Sequence, residues 1–155
     1  MTTTARPRRA PSRRVTQEAA SQTPPLAPVA SPKTRPALDR APILGVRAGV
    51  THTHTGVWVV VVRGRVFVRS WNDKPSGWYR ALRAEPRGTI VLGGRRGEVA
   101  REFAIEARYV QSVPLRSAVT AAYARKYHTQ ASKKWVEGFK EPAREATTLE
   151  LVPAE

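Results

Sequence analysis

The stretch VWVVVVRGRVFVRSWNDKPSGWYRALRAEP, residues 57–86, decides how this chain is read. Residues 58–62 form an apolar run without polar alternation, and residues 66–68 repeat it after the dipeptide Arg63-Gly64. Two β-branched runs separated by such a pair read as a β-hairpin. A strand with no wet face has to be covered on both sides. One cover is the interior of a barrel; the other is a helix or a second subunit, and on that ground a homodimer is expected. The hairpin then runs into a corner carrying Arg69, Ser70, Trp71 and Lys74. Pro75 and Ser76 open a short helix that sets Trp78 and Leu82 on one face, and Pro86 with Gly88 ends it.

Working outward, residues 43–47 make a first strand, and Gly49 with the polar THTHT segment at 51–55 connects it to the hairpin. Residues 89–92 form the next strand, closed by the turn GGRRG at 93–97. From 98 to 110 the pattern alternates, with Val99, Phe103, Ile105, Ala107 and Tyr109 on one side and Glu98, Glu102, Glu106 and Arg108 on the other. That is a long strand with one wet face. Pro114 opens an amphipathic helix with the apolar stripe Leu115, Ala118, Val119, Ala122 and Tyr123. Arg125, Lys126 and His128 follow near its C-terminus, where the helix dipole favours cations. A helical turn at 135–139 leads to a last strand at 147–152. Six or so strands with one substantial helix and two small ones predict a mostly β fold, a small antiparallel β-barrel decorated with helices.

At 155 residues with 41% hydrophobic content the chain suits one ordinary domain. Residues 1–40 hold seven of the thirteen prolines and none of the aromatic residues, so they read as a disordered Pro/Arg-rich tail, with the folded domain at 41–155. Of the net charge of +15, the tail carries +6. Arginine pairs at 8–9 and 13–14 suit nonspecific contact with nucleic acid, but no recognisable nucleic-acid motif lies in the body, so specific binding is not expected. The longest apolar run, residues 57–62, is far short of the roughly 20 residues a spanning helix needs, so membrane insertion is not expected either. The absence of cysteine excludes disulfides, thiolate nucleophiles and cysteine metal sites, and a cytoplasmic location is expected.

Several chemistries find no footing. His52 and His54 lack a third ligand at a recognisable spacing and read as a loop pair without metal. There is no Gly-x-Ser-x-Gly elbow, no paired-carboxylate motif and no glycine-rich phosphate loop. The corner after the hairpin remains. Arg69 and Lys74 offer cations for phosphate, Ser70 a hydroxyl, and Trp71, Trp78 and Tyr79 aromatic faces for a planar ring, which is what a flavin-like cofactor requires. Against this stands a plainer arrangement in which Trp78, Tyr79 and Leu82 seal one end of the barrel while Arg69 and Lys74 face water.

Three separated motifs carry a family resemblance: VWVVVVRGRVFVRSWNDKPSGWYRAL, YARKYHTQASKKWVEGF and REATTLELVP. Over residues 43–153 the chain resembles the bacterial domain-of-unknown-function 2255 family. That family is similar to the split β-barrel flavoproteins, which include the pyridoxamine-phosphate-oxidase-like group and the deazaflavin-dependent nitroreductases. The link is WYRALRAEP, in which Trp78, Tyr79, Leu82, Ala84 and Pro86 match the nitroreductase pattern, while Ala81 and Glu85 replace its asparagines. The usual phosphate-binding segment upstream is replaced by GVRAGVTHTHTG, where Arg47, Thr51 and Thr53 offer some of the same contacts. The resemblance implies a homodimeric, FMN-binding-like split barrel with its ligand cleft at the subunit boundary, and an oxidoreductase using FMN or a deazaflavin with a small-molecule electron acceptor. Arg69, Ser70 and Lys74 would hold the phosphate end, Trp71, Trp78 and Tyr79 would wall the ring, and Tyr127 with His128 would close the cleft and offer a proton donor. The alternative, motivated by the departures, is a non-enzymatic ligand-binding or dimerisation module that has lost the cofactor.

Overall fold

The structure is a computed structural model, and it describes residues 31–32, 34–50, 53–94 and 99–154. Its elements in chain order are α1 Arg35–Arg40, β1 Leu44–Ala48, β2 Thr55–Val57, β3 Val59–Val62, β4 Arg65–Val68, α2 Trp78–Ala84, β5 Arg87–Leu92, β6 Arg101–Tyr109, α3 Val113–Lys126, α4 Lys133–Gly138, α5 Pro142–Glu145 and β7 Leu149–Pro153. The strands form one sheet in the order β2-β1-β5-β6-β7-β4-β3, with every neighbouring pair antiparallel.

The connectivity shows how this sheet is shaped. Its two edge strands, β2 and β3, are consecutive in the chain with Trp58 alone between them. In a flat seven-stranded sheet those edges would lie roughly 29 Å apart, and one residue spans under about 4 Å. The sheet therefore curls into a nearly closed barrel, the mostly β architecture with helices that the sequence pattern predicts. The hairpin at its centre turns through Arg63 at φ 52° and Gly64 at φ 75°, two left-handed residues as the tightest hairpins require.

The strand alternation sorts side chains into two interiors. Leu44, Val46, Val59, Val66, Val68, Ile90, Ile105 and Leu151 fill the barrel. Val60, Val62 and Phe67 point outward from the same hairpin and meet Val119, Ala122 and Tyr123 of α3 together with Phe139. Ser112 caps α3 by accepting from the Leu115 amide at 3.2 Å, and a proline stands in the first turn. The outer face of β3 is thus covered by a helix of its own chain. Of the two covers open to that strand, the helix is the one present, so its burial does not call for a second subunit.

The sequence expectations are corrected at several places. Helix α1 lies in the stretch assigned to the tail, and its Leu38 is fully buried with the barrel residues, so the ordered domain starts before residue 41. Most of the expected tail, residues 1–30, lies outside the described residues. Part of the polar connection at 51–55 ends as the short edge strand β2, and α5 was not foreseen. Helix α2 begins at Trp78 rather than at Pro75. Val99 stands 82% exposed instead of joining the inward row of β6, while the expected turn at 93–97 falls partly outside the described residues.

Lys126 locks α1, α3 and β3 together, donating to the Leu38 carbonyl at 3.1 Å and the Val59 carbonyl at 2.6 Å. Burial lowers its pKa to about 8, against a smaller opposing pull from Asp39.

Candidate functional site

Where β4 ends, the chain leaves the sheet and the barrel seam opens beside it. The corner residues Arg69 to Asn72, Lys74, Gly77 and Trp78 form one side of a cleft of about 440 Å³. Thr55, Gly56 and Val57 of β2, with Trp58, form another, and Trp135 and Phe139 complete it. All four tryptophans of the chain line this one cleft. Its volume lies in the range of small-molecule sites, and Phe139 adds a fifth aromatic ring to its walls.

Each indole is held in a different way. Trp58 stacks on Tyr127 with ring centres 3.9 Å apart and planes 2° from parallel. Trp71 meets the Trp135 ring edge-on at 4.8 Å and Phe139 at 5.7 Å. The Arg144 guanidinium lies 3.6 Å from the centre of the Trp71 ring and donates to the Trp71 carbonyl at 3.0 Å. Gly138 packs against the six-membered edge of that indole, at Cη2 and Cζ3, which leaves no room for a Cβ. Trp78 stands at the start of α2, with Tyr79 edge-on behind it at 6.2 Å.

Five of the eight site residues expected from sequence line the cleft: Arg69, Ser70, Trp71, Lys74 and Trp78. Three do not. Tyr79 is buried with the barrel residues, and its hydroxyl accepts from Arg83 Nη1 at 2.9 Å. Tyr127 supports Trp58 from behind, donating its hydroxyl proton to the Pro42 carbonyl at 2.8 Å. Burial pushes the Tyr127 hydroxyl up to about 12, which makes it a poorer proton donor than the expected role requires. His128 is exposed and makes no hydrogen bond or ion pair among the described residues. The plainer arrangement thus holds for Tyr79 and Leu82, which seal the barrel, and for the exposed Lys74; Trp78 packs against the same barrel residues while also lining the cleft, and Arg69 is buried instead of facing water.

Arg69 does not offer its guanidinium to the cleft as a hydrogen-bonding fork. It is 2% exposed, and its Nε donates to Thr148 Oγ1 at 2.9 Å. Nη1 donates to Thr120 Oγ1 at 2.8 Å and to the Phe139 carbonyl at 3.0 Å, and Nη2 to the Arg116 carbonyl at 3.0 Å. Four of a guanidinium's five N–H donors are thereby committed inside the fold. The Ser70 amide donates to the Thr147 hydroxyl oxygen at 2.9 Å, and the Ser70 hydroxyl donates to the Asn72 carbonyl, which fixes the corner. Lys74 is exposed and its ammonium has no partner among the described residues, whereas the neighbouring Asp73 is engaged by Arg80 at 2.8 Å. Lys134, outside the cleft lining, holds its Nζ 5.1 Å from the ring centre of Trp135.

Trp58, Trp135, Phe139, Thr55 and Asn72 were missed in the sequence. One signal was available for Arg69: one residue past β4, it continues the alternation on the side of Phe67, the face turned to α3, and not on that of Val66 and Val68. Away from the cleft, His54 Nε2 lies 3.2 Å from Thr89 Oγ1 and 3.9 Å from Glu102, and burial, then Arg47, hold its pKa below the ordinary value. Among the described residues no group of three potential metal ligands occurs, and no helix is long and apolar enough to cross a membrane.

Fold and site together define a nearly closed antiparallel β-barrel, covered by helices on one side, with an aromatic ligand-sized cleft at its seam. The chain belongs to the family described as "Uncharacterized protein conserved in bacteria (DUF2255)", whose pattern matches residues 44–151. No curated protein matches it. Among solved structures it is similar to a conserved hypothetical protein from Mycobacterium tuberculosis, with 19% identity, a TM-score of 0.48 and coverage of 90% of this chain and 81% of that one. It is also similar to an FAD-binding protein from Mesorhizobium loti, with 12% identity, a TM-score of 0.48 and coverage of 83% and 92%.

Proposed function

We propose that the cleft binds a flavin or deazaflavin and that the protein acts as an oxidoreductase on a small-molecule electron acceptor. The observation that carries this reading is the convergence of all four tryptophans on one cleft of about 440 Å³. Indole faces suit a large planar heteroaromatic ring, since stacking and area burial both reward it. Lys74 at the rim, with Lys134 beside Trp135, suits an anionic tail. The donor set therefore fits such a cofactor in outline, with Lys74 taking the phosphate role that Arg69 was expected to share.

When bound, a cofactor of this class supplies two-electron hydride chemistry. The protein's own part is to orient and to exclude water: Trp71 and Trp78 wall the ring, Trp58 is held rigid by Tyr127, and Ser70 fixes the corner that carries Lys74. No histidine or carboxylate is among the lining residues. That composition favours redox chemistry carried by the cofactor over acid–base hydrolysis. It equally suits a second reading, a ligand-binding module without turnover. The homodimer belongs to the same proposal, and sedimentation of the purified chain tests it.

The test is a titration of the full chain with FMN and with a deazaflavin, following tryptophan emission and cofactor absorbance. Because every tryptophan lines the cleft, binding should quench most of the intrinsic emission, and Lys74→Ala should weaken binding about tenfold. If neither cofactor quenches the emission at high micromolar concentration, the flavin reading fails. If binding occurs but no acceptor is reduced, the non-enzymatic module replaces the oxidoreductase.

A further inference from the structure

Arg69 has given up its hydrogen bonds but not its charge. We infer that this buried charge makes the cleft select the anionic forms of planar aromatic ligands, acting through space rather than by direct contact. The inference rests on the cleft being a ligand site and names the chemical class that site prefers: aromatic sulfonates, carboxylates and phosphates, and ring systems that bind ionised.

The partners of Arg69 are all neutral oxygens: two threonine hydroxyls and two backbone carbonyls. Among the described residues it touches no carboxylate. Glu145 stands one hydroxyl away, its Oε2 3.2 Å from Thr120 Oγ1. Arg116 adds a like charge nearby, itself bound to the Val110 carbonyl and the Tyr109 hydroxyl. The guanidinium carbon lies 6.0 Å from the ring centre of Phe139, which is a wall of the cleft. A charge enclosed in low dielectric without a contact counter-ion keeps much of its field over such distances, and salt screens it little. The exposed Lys74 adds to the same potential, but its share is screened.

The difference in screening separates the two cations. The probes are 8-anilinonaphthalene-1-sulfonate and N-phenyl-1-naphthylamine, which share a ring system and differ by the anionic group. Each is titrated into the full chain at low salt and at about 0.5 M salt, where the Debye length falls to about 4 Å. Weakened dye binding in Gly138→Ala, whose added methyl displaces the Trp71 wall, locates the dye in the cleft. The sulfonate should be preferred by about tenfold even at high salt, and Lys74→Met should reduce the preference at low salt only. Glu145→Gln, which removes the compensating anion, should raise the preference about threefold. Arg69→Met should abolish the salt-resistant part, and because that variant also removes four hydrogen bonds of the buried guanidinium, the Glu145→Gln result stands independently of it. Equal binding of both dyes at high salt, or no response to Glu145→Gln, would overturn the inference and leave the cleft a ligand site. Binding of neither dye would overturn both.

Discussion

Strand β4 sends Val66 and Val68 into the barrel and Phe67 out toward α3, and Arg69, the residue just past its end, follows Phe67 beneath the helix, so one short segment serves two interiors of different character. The barrel interior is mainly aliphatic and built from strands in regular register, with Val66 opposite Leu151 and Ala107 opposite Leu151 on the other side. The outer interior is richer in aromatic rings and is assembled from β3, β4, α3 and the end of α4, with a charged group bound into it. Aliphatic packing of the first kind is non-directional and tolerates repacking. The second kind depends on hydrogen bonds and ring orientations, and it continues into the cleft. Stability and ligand binding should therefore be separable by mutation.

The largest effect should come from Arg69→Met. It leaves the Thr120 and Thr148 hydroxyls and the Phe139 and Arg116 carbonyls without their donor in a buried setting, at a cost of about 3–5 kcal/mol in urea unfolding. Because those bonds join β4 to α3 and to the end of α4, ligand binding should fall with stability. Leu151→Ala is the contrasting change. It empties a fully buried barrel position and should cost about 3 kcal/mol, while cofactor or dye affinity of the folded protein stays unchanged. A parallel loss of affinity would show that the two interiors behave as one mechanical unit.

The same division explains what was legible in the sequence. The hairpin, the alternation of β6 and the stripe of α3 are local periodicities, and the structure follows them. Arg63-Gly64 could be read because few dipeptides accept two left-handed residues. Helix α1 was hidden because composition averages over a window, and one leucine in a proline-rich stretch carries no periodicity even when it is fully buried. In the cleft, Trp71 and Trp135 stand 64 positions apart, and no local pattern announces that their rings meet at 4.8 Å. Arg69 misled because a cation after a strand end usually reaches water. Here the two-residue alternation outranked that tendency and carried it under the helix.

Gly138→Ala sharpens the comparison from the outer side. The added methyl collides with the Trp71 ring, which is pinned on its other sides by Arg144, Trp135 and Phe139. Overpacking of this kind should cost about 2 kcal/mol, and the displaced indole should lower cleft affinity by tenfold or more. Barrel residues remain untouched. Substitution by serine should behave like alanine, whereas Trp71→Phe in the Gly138→Ala background should recover part of the stability by removing the colliding ring edge.

The smallest effect concerns pH, and it reports on the joint between the two interiors. Lys126 has a folded pKa of about 8 against an ordinary 10.5, so between these values the unfolded chain binds more protons than the native one. Stability should then rise with pH across that window, by about 1–2 kcal/mol between pH 8 and 10. Above pH 10 the sign reverses. Burial holds the Tyr127 hydroxyl up to about 12 and that of Tyr123 still higher, so the unfolded chain loses protons that the native one retains, and stability falls. Urea unfolding at half-unit steps should therefore show a maximum near pH 10. In Lys126→Met the rising limb should vanish and the falling limb remain, because the first belongs to the lysine clamped between Leu38 and Val59 and the second to Tyr127, stacked on Trp58, and Tyr123, tilted beside it. If the rising limb persists in the variant, its source is not the clamp, and the coupling of α1 to α3 through Lys126 is weaker than its two short hydrogen bonds indicate.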